Sequence, residues 1–296
     1  MTSQLPAATA PTEGRAWIDA LPPALTGQAR LLHALLTGVE TDVRWEALEL
    51  GCSLAAGRGD ELSDLDVGLW HVPGTRPTDE DVDRLVQSLG DVIEVSAQPW
   101  DDAPRWWGQY ADGTQLDLVI GAADDRGSRA PGGVMLMNRG GRFATEFTPS
   151  VLRAKPDEPR QWLLDGWEAL GNTAKYLHRG SLLEAVEQIQ RARQRLFQLW
   201  ATGEGVDYPL FGLTSLLDDD AAALPPDVED TYPTINHDSV AKAANTLAAL
   251  LRSAGHHADQ TMTTPLADYV VHRLQDVADL MPETTDNRPT GKEAAQ

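Results

Sequence analysis

The stretch from Gly51 to Trp70, GCSLAAGRGDELSDLDVGLW, opens with small residues and glycines and ends in an Asp-x-Asp on an alternating apolar run. In a strand, side chains alternate between faces. Asp64 and Asp66 are two apart, so they share one face, while Leu65, Val67 and Leu69 point to the other and enter a core. Two ionised carboxylates this close repel. A divalent cation between them offsets that repulsion, and hard oxygen ligands suit Mg²⁺, which takes one or two carboxylates together with substrate phosphates and water. The bland reading is a solvated turn. Asp117 argues against it. It interrupts the apolar run Leu116, Leu118, Val119, Ile120 on another predicted strand, where an acid is costly unless solvated or paired. If the two strands are neighbours, Asp64, Asp66 and Asp117 converge, and three carboxylates on one sheet face can hold two Mg²⁺ for in-line displacement at phosphorus. The glycines upstream let backbone N–H groups approach phosphate oxygens, with Ser53 adding a hydroxyl. The loop is not of the Walker type, since no Gly-Lys-Ser/Thr follows.

Around this stretch the chain reads as mixed helix and strand. A helix is predicted over Leu25–Thr37, strands over Val43–Gly51, Ser63–Val72, Val92–Trp100 and Thr114–Gly121, and a short strand over Gly133–Asn138. Thr78–Gly90 is a helix with a Thr cap, acids in its first turn and a terminal Gly. The prolines of TPSVLRAKPDEPRQ suit a linker, and helical periodicity follows. Arg160–Gly180 is one helix, weakened by Gly166 and Gly171, and Ser181–Gly203 is another, for which Ser181 and Glu184 spell a capping box. Ser239–Gly255 and Pro265–Met281 look like further helices. The expected organisation is a tail over 1–15, an α/β (α+β) domain with a mixed sheet over 16–150, an all-α helical bundle over 151–282 and a tail over 283–296.

Composition narrows the function. A hydrophobic fraction of 42% supports a globular core. The 45 acids against 24 bases give a net charge of −21, which disfavours a nucleic-acid backbone as partner and favours cationic ligands and metal ions. No apolar run approaches the ~20 residues that span a bilayer, so no membrane partner is expected. One cysteine, Cys52, excludes an internal disulfide. With no basic and apolar leader at the N-terminus, a cytoplasmic location is expected.

Gly/Ser, about ten residues, Ser-Asp-x-Asp and a third Asp on a later strand together resemble the DNA polymerase beta-like nucleotidyltransferase superfamily. The matching residues are Ser53, Gly57, Ser63, Asp64, Asp66 and Asp117. The helical second domain, and more loosely DYPLFGLTSLLDDDAAALPPDVEDTYP within it, is similar to the antibiotic nucleotidyltransferases of that superfamily, such as the aminoglycoside adenylyltransferases. Two positions depart from the pattern: Cys52 stands where the family usually has Gly, and Ala56, followed by Gly57 and Arg58, where it often has Arg.

The resemblance implies an enzyme that moves a nucleoside monophosphate, AMP from ATP first, onto a hydroxyl of a small molecule with release of pyrophosphate. Two Mg²⁺ ions would be held by Asp64, Asp66 and Asp117, and an aminoglycoside-like antibiotic is the leading acceptor, which would make the chain a resistance enzyme. It further implies that Ser53, Gly57, Ser63 and Lys175 grip the triphosphate, Lys175 from the first helix of the second domain. Asp117, Glu146, Asp165 and Glu168 are all open as general base. Protein adenylylation, or nucleotide binding without catalysis, are the alternatives.

Overall fold

The computed structural model describes residues 11–100, 103–124, 133–141, 143 and 154–278. The chain forms two compact units, Met1–Val151 and Leu152–Gln296. The first contains helices α1 (Pro11–Asp19), α2 (Thr26–Thr41), α3 (Cys52–Ala55) and α4 (Asp79–Ser88) and strands β1 (Trp45–Leu50), β2 (Leu65–His71), β3 (Val92–Trp100), β4 (Ala103–Tyr110), β5 (Gln115–Ala122) and β6 (Val134–Asn138). The strands form one mixed sheet in the order β3-β4-β5-β2-β1-β6. Among the described strands only β2 and β5 pair in parallel, and the other pairings are antiparallel.

Period-two burial makes this sheet two-faced. Leu65, Val67 and Leu69 of β2 and Leu116, Leu118 and Ile120 of β5 are buried, together with Trp106 and Tyr110 of β4. Helix α2 covers them because Leu31, Leu32, Leu35, Leu36 and Val39 recur at its i, i+3/i+4 spacing and all are buried in the same core. The other face of β2 and β5, carrying Asp66, Trp70, Asp117 and Val119, is only half-buried. Helix α4 starts at a full capping box: the Thr78 hydroxyl accepts from the Asp81 N–H, and the Asp81 carboxylate accepts from the Thr78 N–H.

Two expectations change here. The tail expected through residue 15 gives way to α1 from Pro11, because Trp17 and Ile18 have a core to enter and are buried in it. And APRWWGQY, in which no strand was expected, is β4, hairpin-paired to β3 from Val92↔Tyr110 to Trp100↔Ala103.

Among the described residues the second unit holds helices and no strand: α5 (Glu158–His178), α6 (Leu182–Glu204), α7 (Leu213–Asp218), α8 (His237–Ala258) and α9 (Pro265–Ala278). Trp167, Leu170, Ile189, Leu196, Leu247, Leu251 and Leu274 share its core. Gly166, a weak point by propensity, is where α5 and α8 approach: a Cβ there would lie 2.8 Å from the Leu251 side chain. Buried Arg193 of α6 anchors the later loop through the Thr231 hydroxyl and carbonyl and stacks on Tyr232. The expected Ser181–Glu184 capping box is not formed. Gly180 turns the chain straight out of α5 at φ +69°, Ser181 follows at ψ 69° rather than in the extended conformation an N-cap needs, and its hydroxyl makes no cap bond. Residues 283–296, expected as a tail, lie outside the described residues. No helix among the described residues is long and apolar enough to cross a membrane.

Candidate active site

The parallel pairing of β2 with β5 sets Leu65 opposite Leu116, Asp66 opposite Asp117 and Val67 opposite Leu118. Neighbouring strands lie about 4.8 Å apart, so the carboxylates of Asp66 and Asp117 spring from adjacent backbone positions on the half-open face. Asp64 sits just before the first residue of β2, at the strand's entry rather than in the ladder. Burial pushes Asp66 up to about 6. The Asp64 charge adds to this and Asp117 adds less, while a hydrogen bond from the Cys52 side chain and the Arg105 charge pull back. The site thus holds a carboxylate whose ionised form is disfavoured by its surroundings.

The glycine stretch leads directly into this face. The Gly51 N–H donates to the Asp66 carbonyl at 2.8 Å, pinning the end of β1 to β2. One helical turn, α3, follows, and Gly57 closes it at φ +71°, a left-handed conformation that costs glycine little. The Arg58 N–H returns to the Ser53 carbonyl at 2.9 Å. Cys52 itself lies at φ +54°. That is the physical reason glycine suits this position: a side chain in the left-handed region costs roughly 1–2 kcal/mol.

Ser63 is engaged inside the next turn. Its hydroxyl accepts from the Asp60 N–H at 2.9 Å and donates to Asp60 Oδ1 at 3.2 Å. The turn is clamped from α2 by Gln28, whose Nε2 donates to the carbonyls of Glu61 at 3.3 Å and Ser63 at 3.0 Å. Gln28 is buried, so the loop that delivers the Asp pair is fixed from the core.

Sequence reasoning missed Arg105. It stands on β4 two residues from Trp107, which pairs with Asp117, so Arg105, Trp107 and Asp117 share the half-open face. The Arg105 fork takes both Asp117 oxygens, with Nε to Oδ1 at 2.5 Å and Nη2 to Oδ2. The signal was in the alternation of Arg105, Trp107 and Gln109 with Trp106, Gly108 and Tyr110, which marks APRWWGQY as a strand. That alternation also separates the two tryptophans. Trp106 is core, its indole N–H donating to Asp83 at 2.7 Å, whereas Trp107 is half-buried on the acidic face.

The remaining candidates lie in the helical unit. Lys175, in the last turn of α5, donates to Asn172 Oδ1 at 2.8 Å and lies 4.6 Å from the Tyr176 ring centre. Asp165 is paired with Arg195 at 3.1 Å and accepts from Gln161. Glu168 is exposed on α5, and Glu146 lies outside the described residues.

As a cation site, the residues present fit one ion readily. Asp64 and Asp66 are hard oxygen donors that form no salt bridge among the described residues, and the destabilised charge of Asp66 is what a cation would relieve. Asp117 already holds a cation, the Arg105 guanidinium. Among the described residues no three His, Cys, Asp or Glu side chains are gathered as a ready-made cage.

The molecule is therefore a two-unit protein whose mixed sheet displays paired acids behind a glycine loop, followed by a helical bundle. Among solved structures it is similar to an aminoglycoside 6-adenyltransferase from Bacillus subtilis, at 14% identity and a TM-score of 0.37, over 85% of this chain and 99% of that one. It is also similar to the non canonical poly(A) polymerase complex GLD-2–GLD-3, at 11% identity and a TM-score of 0.27, over 90% of this chain and 74% of that one. No family model matches the sequence, and no curated protein matches it.

Proposed function

We propose that the N-terminal unit is a nucleotidyltransferase that moves a nucleoside monophosphate, AMP from ATP first, to a hydroxyl of a small molecule. The observation that carries this reading is the register pairing of Asp66 with Asp117, with Asp64 at the strand's entry and the Gly51–Gly57 turn immediately upstream. Asp64 and Asp66 would hold Mg²⁺, which when bound neutralises phosphate charge and orients the leaving group. The turn supplies backbone N–H groups for phosphate oxygens, with the Ser53 hydroxyl beside them. The rigid Asp60–Ser63 turn and the Gln28 clamp hold the Asp pair in place, which is what a reaction governed by positioning requires. Trp107 offers a half-buried ring on the same face for a sugar or base. An aminoglycoside-like acceptor follows from the sequence resemblance, and a strongly acidic chain suits a polycationic acceptor.

The test is incubation of the protein with Mg²⁺, labelled ATP and a panel of aminoglycosides, read as pyrophosphate and adenylylated product. Turnover should vanish in Asp66→Asn, and turnover that survives there refutes the assignment. One observation favours a second reading: the Arg105–Asp117 pair already neutralises the third carboxylate. If ATP binds with Mg²⁺ and neither a small molecule nor a protein is modified, the chain is a nucleotide-binding protein on this scaffold.

A further inference from the structure

The open face of the sheet holds more than acids. Reading across the strands, Ser96 pairs with Trp107, Trp107 with Asp117 and Asp117 with Asp66. Arg105 reaches into this row from two residues away on the same face of β4, where it pairs with Asp117 and its charge is also felt by Asp66. Neither partner of the pair is bulk-exposed: the side chains of Arg105 and Asp117 keep 27% and 21% of their accessible surface. Both carboxylate oxygens face the guanidinium. A metal ion approaching Asp117 would therefore meet a cation already seated on its ligand atoms.

We propose that Arg105 is a positioning residue, a built-in counter-cation that competes with divalent metal for Asp117, so that Asp117 joins Asp64 and Asp66 only when a nucleotide polyphosphate draws the guanidinium away. The proposal rests on the nucleotidyltransferase reading and deepens it. Its chemistry is an exchange of like for like. The planar fork that binds a carboxylate through two N–H donors binds a phosphate in the same way, so leaving Asp117 for a phosphate sacrifices no hydrogen bond. The exchange adds no charge to the site until the nucleotide brings its own. Without Arg105, Asp66 and Asp117 would stand side by side on neighbouring strands with no counter-cation on either. Arg105 thereby neutralises Asp117 in the ligand-free sheet and makes full metal loading depend on the substrate.

The test is Mn²⁺ binding to the full chain without acceptor, followed by the electron paramagnetic resonance of free Mn²⁺, with thermal melts to confirm folding. In R105Q, Mn²⁺ alone should bind about tenfold more tightly than in wild type, the 1.4 kcal/mol equivalent of one competing pair lost. The neutral pair R105Q/D117N should return to the wild-type affinity. ATP should strengthen Mn²⁺ binding in wild type and do so far less in R105Q, and R105K, which keeps the charge without the fork, should fall between them. Mn²⁺ affinity in folded R105Q that is equal to or weaker than wild type overturns the proposal. The parent reading is tested separately: Mn²⁺ binding that D66N leaves unchanged, with and without ATP, overturns the metal site itself and this proposal with it.

Discussion

Asp66→Asn should stabilise the metal-free protein while abolishing its proposed activity. The Asp66 carboxyl is raised from 3.8 to about 6, chiefly by burial and by the Asp64 charge. For a carboxyl whose folded value is raised, the stabilising balance holds at low pH and is lost as pH rises through the folded value. Below about pH 4 the group is neutral in both states and costs nothing. Between about 4 and 6 the unfolded chain ionises while the folded one resists. Above about 6 the full penalty stands. At about 1.4 kcal/mol per unit, a rise of roughly two units is worth about 3 kcal/mol at pH 8, and about half of that at pH 5. Asn keeps an oxygen to accept from Cys52, so little is lost in exchange. For a unit of roughly 150 residues, about 2–4 °C per kcal/mol predicts a rise of roughly 6–12 °C in the transition of the N-terminal unit.

The assay is scanning calorimetry in EDTA at pH 8 and pH 5, wild type against D66N, with a repeat in Mg²⁺ and ATP. The gain should be larger at pH 8 than at pH 5. Added Mg²⁺ with ATP should raise the wild-type transition and leave D66N where it was, since a ligand that binds only the folded state stabilises it. A D66N protein that melts at or below wild type at pH 8 refutes the reasoning, because it would mean that the buried carboxylate is already compensated.

Three further outcomes are expected. Cys52→Gly should be more stable than Cys52→Ala by about 1 kcal/mol in denaturant melts, because both lack the thiol and only Ala keeps a side chain at φ +54°; equal stabilities would show that the left-handed backbone carries no strain. Trp106→Phe should destabilise the N-terminal unit by about 1–3 kcal/mol by leaving Asp83 without its indole donor, while Trp107→Phe should stay within about 1 kcal/mol in the same melts. Gln28→Leu should loosen the Asp60–Ser63 turn, seen as faster amide exchange at Leu62 and Ser63 and as Mn²⁺ binding weakened about threefold or more; unchanged exchange there would remove the clamp from the account.

Much of this was readable from local patterns. Leu65, Val67 and Leu69 alternate with Asp66, Gly68 and Trp70, and period-two burial is the strongest short-range signal of a strand with two different faces. The Thr78 cap was equally plain, because capping chemistry lies within four residues of sequence. Strand β4 was passed over because Pro104 and Gly108 weaken its propensity and a tryptophan pair reads as a patch before it reads as alternation. The Ser181 box failed for the opposite reason: the letters were right, but the tight exit from α5 through Gly180 fixed a backbone on which the hydroxyl has no N–H to reach.

The site divides along the same line. That Asp117 interrupts an apolar run is a local fact, and it marks a paired or liganded acid. What pairs it is not local, because register decides it. Shifting β4 by one residue would place Trp106 beside Asp117 and turn Arg105 into the core. The observed register, Trp107↔Asp117 and Arg105↔Val119, is the one that buries Trp106 and Tyr110, and burial of those two rings outweighs any preference of Arg105 for an acid. Arg105 therefore reaches Asp117 as a consequence of core packing on the other face of the sheet. The departure at Cys52 also belongs to this account. A side chain at a left-handed position is retained at some cost in strain, and its hydrogen bond goes to Asp66, the most charge-strained acid of the face. Arg105 and Cys52 thus act on the same difficulty from two sides, each easing the ionised form of a carboxylate crowded by burial and by its acidic neighbours on one sheet face.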